Sequence, residues 1–170
     1  GGMNRRQAGE DFYFIQKLVP AGGYFNLNST TVYPSPRPSF RVPFGTGASI
    51  GNLAETNKPE LLTYNILAFK ELRSFFRLVE NIYHCGDEEL SEFYISLPPG
   101  LKSFLEEKEL SDKIMEIRNN TSGFPSFKKR FFGWFNMFRI VKYLNHVHSG
   151  IFEKKPVLIA ASELLHELGI

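Results

Sequence analysis

Four prolines fall between positions 34 and 43, in Pro34-Ser35-Pro36-Arg37-Pro38-Ser39-Phe40-Arg41-Val42-Pro43, and they constrain this chain more than any other stretch. Each proline fixes its own φ, lacks a donor N–H and disfavours helix in the residue before it. The run is therefore neither a helix nor a central strand. It reads as an extended loop carrying two arginines four positions apart and closing on Gly45-Thr46-Gly47. Glycine is concentrated on the same side, with eight of the fourteen in residues 1–56. From residue 57 onward the pattern becomes helical. The expected fold is α+β and mostly α: an irregular front (1–56) with one helix and one or two strands, then about five helices (57–170).

The front begins with Glu10 and Asp11, which suit a helix start because free backbone N–H groups there favour carboxylates. Phe14, Ile15 and Leu18 follow at helical spacing, and Pro20 with Gly22-Gly23 ends the helix. Tyr24 to Tyr33 is rich in β-formers and reads as a strand of imperfect alternation. In the second part the spacing predicts helices over about 59–84, 87–97, 101–119, 126–148 and 156–168. Leu62, Ile66, Phe69, Phe76, Val79 and Tyr83 form the apolar stripe of the first.

Charge and cysteine content exclude several classes. Twenty basic against eighteen acidic side chains give a net charge of +2, too balanced for a nucleic-acid-binding protein. The single cysteine, Cys85, rules out an intrachain disulfide framework and a multi-cysteine zinc site. No apolar run reaches the ~18 residues of a membrane span, and Gly1-Gly2-Met3-Asn4-Arg5-Arg6 gives no expectation of a signal peptide. A cytoplasmic protein is expected, in place at most at the inner face of a membrane. Seventeen phenylalanines leave much apolar surface to bury, either internally or against a partner.

The string with most chemical content is Gly9-Glu10-Asp11-Phe12-Tyr13-Phe14. Taken alone, an acidic pair at a helix start is only a charge preference. Here it precedes an aromatic helix, a strand-like segment and the Ser35-Pro36-Arg37 … Arg41-Val42-Pro43-Phe44-Gly45-Thr46-Gly47 loop. That order, over roughly residues 2–53, resembles the C-terminal part of the catalytic domain of bacterial family-two inverting glycosyltransferases of the GT-A fold. The resemblance implies that Asp11 is the general base, taking the proton from an acceptor hydroxyl as its oxygen attacks the anomeric carbon of the sugar. It further implies that Glu10 orients the acceptor or the helix start, and that Gly9 lets the backbone approach the sugar. Phe12 and Tyr13 are either a platform for a sugar face or ordinary packing of a short helix. Arg37 and Arg41 are either cations for the departing diphosphate or solvated side chains. Gly45, Thr46 and Gly47 can offer backbone N–H groups and act as a flap.

Such enzymes also need a nucleotide-binding half whose Asp-x-Asp element holds a divalent metal, Mg or Mn. No Asp-x-Asp occurs in these 170 residues, and the alternating strand–helix order of that half is missing. The expectation is a back end of a longer enzyme: no cofactor in this chain, the metal in the missing half, and no transfer by this chain alone. The partners implied are a nucleotide-sugar donor and a glycan or lipid-linked acceptor.

His84, His146, His148 and His166 lack the convergent ligands of a metal site and are expected to be structural. Residues 126–143 mix Phe and Trp with Lys and Arg. They are open to two readings, a core helix or an amphipathic helix on a membrane surface. A homo-oligomer that hides leftover apolar surface is also expected. Two non-enzymatic alternatives to the transferase reading remain: a helical protein-interaction module and a peripheral membrane module.

Overall fold

A computed structural model describes residues 10–19, 22, 25, 27–33 and 61–170. The chain divides into two compact units, residues 1–60 and 61–170. The described residues are mostly helical, with one small antiparallel sheet.

In the first unit, α1 spans Glu10–Leu18. It stops where Gly22, at φ 76°, donates its N–H to the carbonyl of Val19 at 3.1 Å. That left-handed conformation is open to glycine at little cost. The strand expected over 24–33 is absent from its described residues. Asn28 and Ser29 form a turn instead, and Phe25, Leu27, Val32 and Tyr33 are all exposed. Strand-forming residue types do not suffice without a neighbouring ladder to satisfy their N–H and C=O groups. The Pro34–Gly47 loop lies outside the described residues.

In the second unit, β1 (Leu62–Thr63) pairs antiparallel with β2 (Lys155–Pro156). Residues 62–63 were expected to be helical. They are not, because Asn65 caps α2 (Ile66–Arg77): its side chain accepts from the Leu67 N–H at 3.0 Å, fixing the start three residues later. The helix predicted to run on to His84 breaks at Leu78 and resumes as α3 (Val79–His84). The buried stripe crosses the break unbroken, through Ala68, Leu72, Phe75, Val79 and Ile82. This stripe is rotated from the one read in the sequence, which counted Phe69 although that ring is 45% exposed. Apolar residues flank the true stripe on both sides, so periodicity alone does not select its centre.

α4 (Asp87–Ser96) starts with three acidic residues, and the Gly86 N–H donates to Glu89 Oε2 at 2.6 Å. α5 (Pro99–Phe104) and α6 (Glu107–Asn119) replace the single helix expected over 101–119. α7 (Phe124–Trp134) and α8 (Met137–Val147) replace the one expected over 126–148. Asn136 causes the second break, accepting from the N–H groups of Phe138 and Arg139 at 3.0 and 3.2 Å and so starting a new helix. α9 (Val157–Leu168) ends on Gly169 at φ 74°.

The core is built by packing α5 on α8, α3 on α7, α4 on α6 and α6 on α7. Its centre is aromatic. Phe75, Phe127, Phe131, Phe135 and Tyr143 are at most 1% exposed. Phe75 sits 5.7 Å from Phe131 and 5.3 Å from Phe135 between ring centroids, in tilted contacts that suit the ring quadrupole.

One polar network crosses this core. The Glu71 carboxylate on α2 accepts from the N–H groups of Gly100 (3.3 Å) and Leu101 (3.1 Å), supplying partners for the start of α5. Tyr143 donates its hydroxyl to Glu71 Oε2 at 2.7 Å. Gly100 is required by closeness: a Cβ there would lie 2.4 Å from Glu71 Oε2 and 3.0 Å from Val147 Cγ1.

Burial, reinforced by the Glu71 hydrogen bond and charge, pushes the Tyr143 phenol well above its ordinary pKa of 10.0. The folded chain holds the phenol neutral at a pH where the unfolded chain ionises. The resulting stability is complete below about pH 10 and falls as pH rises beyond it. Tyr143→Phe is expected to flatten this alkaline slope, measured as urea midpoints from pH 8 to pH 11. A variant whose midpoint falls as steeply as the parent's would contradict it.

Candidate functional site

Of the residues singled out in the sequence, Asp11, Phe12 and Tyr13 are described in full, and α1 brings them together in its first turns. The Asp11 side chain is exposed, and its Oδ1 accepts from the Phe12 N–H at 2.8 Å. The carboxylate therefore sits among the free N–H groups of a helix start, where the axial dipole favours negative charge. Phe12 and Tyr13 are half-buried and meet edge to face with centroids 5.9 Å apart. The Glu10 backbone opens the helix. Gly9, Arg37, Arg41, Gly45, Thr46 and Gly47 lie outside the described residues. What this arrangement can do chemically is limited and definite: a solvent-accessible carboxylate at a helix start can take a proton from a hydroxyl brought to it.

Two of the histidines and the cysteine are engaged in the framework, whereas His84 and His166 are exposed. His148 accepts the Asn65 N–H on Nε2 (2.8 Å) and places Nδ1 2.7 Å from the Leu144 carbonyl, so its proton resides on Nδ1. His146 Nε2 lies 3.1 Å from Ser103 Oγ. Arg118 reaches the Ile82 carbonyl and lies 3.1 Å from Cys85 Sγ, closing the end of α3. Among the described residues no group of three or more His, Cys, Asp or Glu side chains is placed to hold a metal.

Residues 126–143 bury Phe127, Phe131, Phe135 and Tyr143 and leave Trp134 half-buried. Lys128, Lys129, Arg130 and Lys142 stay exposed. Between α6 and α7 this leaves a cleft of about 660 Å³ walled by Lys113, Glu116, Lys129, Arg130 and Trp134. Lys113 is paired with Glu116 at 2.6 Å, and the Arg139 guanidinium lies 4.4 Å from the Trp134 ring centroid. Two further cations beside an indole suit an anionic group carried next to a flat apolar one. The sequence reading passed over this cleft. The signal was the Lys128-Lys129-Arg130 run four residues ahead of the only tryptophan. Among the described residues no helix is long and apolar enough to cross a membrane.

The fold and the α1 head define a mostly helical α+β protein with an accessible carboxylate. No known protein family, curated protein or solved structure matches the chain. The likeness to glycosyltransferases rests on the motif string itself.

Proposed function

We propose that this chain is the acceptor-side, C-terminal segment of an inverting glycosyltransferase that moves a sugar from a nucleotide-sugar to a glycan or lipid-linked acceptor. The observation that carries the reading is Asp11: the motif assigns it the role of base, and its side chain is exposed at the head of α1 rather than sealed in the core. Glu10 and Gly9 shape the acceptor's approach, Phe12 and Tyr13 offer it a ring face, and Arg37 and Arg41 meet the diphosphate. The donor half and its divalent metal come from outside these residues, in keeping with the lack of an Asp-x-Asp element here.

The test follows from that division of labour. The purified 170-residue chain is expected to transfer no sugar from a panel of UDP-, GDP- and dTDP-sugars, with or without Mg or Mn. Joined to an in-frame domain carrying Asp-x-Asp, it is expected to do so. Transfer by the isolated chain would overturn the proposal, as would an extended protein that neither hydrolyses nor transfers any donor.

A further inference from the structure

Helix α9 combines an apolar composition with poor burial. Eight of its twelve residues are Val, Leu, Ile or Ala, yet none is buried. Its attachment to the rest of the unit is one-sided: Val157 and Ala160 are half-buried, the Val157 N–H bonds the Leu61 carbonyl at 2.9 Å, and Glu163 pairs with Lys155 and Glu167 with Lys70. At 100° per residue those two glutamates share one side of the helix, and Leu158, Ala161, Leu165 and Leu168 fall on the opposite side. There the leucines at 158, 165 and 168 are 84%, 48% and 64% exposed.

We propose that this stripe is the interface of a homodimer in which two copies of α9 pack antiparallel across a two-fold axis. The spacing between the four residues is three, four, three, which reads the same in both directions. An isologous contact needs such a pattern, because each position must meet its mate twice over. Antiparallel alignment sets Leu158 against the partner's Leu168 and Ala161 against the partner's Leu165. Small faces large at the centre, so the axes can approach closely. Leu164 and Phe69, 50% and 45% exposed, widen the patch along the groove between α9 and α2.

These five large side chains offer on the order of 500 Å² per copy, or about 1,000 Å² in all, the lower bound for a specific interface. An area of this size suits a small, reversible interface rather than an obligate one. Lipid is the poorer occupant. α9 itself carries no Lys or Arg; of the cations around it, Lys70 and Lys155 are paired, Lys154 lies over the Tyr64 ring and Arg73 acts on Glu167, so the face is short of the free cations that draw a helix to an anionic bilayer. The inference stands apart from the transferase reading.

Sedimentation equilibrium of the full chain tests it, from about 1 to 100 µM, the range that brackets such an interface. The expected mass at the upper end is twice the 19.5 kDa of one chain. Leu158→Lys and Leu168→Glu should each give monomer at all concentrations with unchanged far-UV circular dichroism. The double variant should dimerise again, since antiparallel pairing places each lysine against a glutamate. A monomeric parent, a dimer that neither single variant weakens, or a double variant as monomeric as the singles would overturn the proposal. So would a monomer that floats with phosphatidylserine vesicles, which would give the face to lipid.

Discussion

Phe131→Ala is expected to cost about 3–5 kcal/mol, enough to take a large share of the roughly 5–15 kcal/mol that holds a domain folded. The ring is fully buried, and it packs between Phe75, at 5.7 Å, and Phe132, at 5.3 Å between centroids. It also stacks with Phe127 and Phe135, so that its loss strips one face from each of four neighbours. Those neighbours sit on α2 and α7 and at the α7–α8 break. Their positions are tied to backbone that cannot simply close over the hole. In urea or heat the variant should show its midpoint lowered by more than about 10 °C, or the equivalent in denaturant. Lys128→Ala, three residues earlier and fully outside the core, should move it within about 0.5 kcal/mol. A Phe131→Ala penalty below about 1 kcal/mol would mean that the aromatic cluster is not the centre of this fold.

On the proposed function, Asp11→Asn in a protein that joins this chain to a donor half should lower kcat by roughly 10²–10⁴, the usual contribution of a general base. Asparagine keeps the shape and can still accept the Phe12 N–H that Asp11 accepts at 2.8 Å. The exposed position makes a folding defect an unsuitable explanation for a lost rate. What the amide cannot do is take up a proton. KM for the acceptor should change little, because the groups assigned to its approach, Glu10 and Gly9, are untouched. A variant within a factor of about three of the parent's kcat would remove Asp11 from the chemistry, whatever the motif suggests.

Helix content was legible in the sequence, but helix ends were not. α1, α4 and α9 fall close to where caps and prolines put them. Three long helices break at Leu78, Leu105-Glu106 and Phe135-Asn136. None of the three sites carries a proline or glycine. At Asn136 the cause is a side chain that caps the next helix, and asparagine inside an apolar pattern is easily read as a tolerated polar residue. At Leu78 the buried stripe runs straight through the break, so periodicity stays intact while the backbone does not. The strand expected over 24–33 failed for a different reason: residue type signals what a strand tolerates, and pairing decides whether one exists. Of the candidate site, the α1 head was readable because charge at a helix start is a local effect. In the second unit the Glu71 network, which is no part of that site, was not legible, since its partners lie 29, 30 and 72 residues further along the chain.

That long reach has a steric corollary. Glu71 fills the space where any side chain at position 100 would have to go. The two positions are coupled: a bulkier residue at 100 displaces the carboxylate and takes the acceptor from two amides, leaving the Tyr143 phenol only the Ala68 carbonyl at 3.3 Å. A side chain at 100 is therefore tolerated only if the Glu71 carboxylate swings aside, and the helix at Pro99 must then start without it.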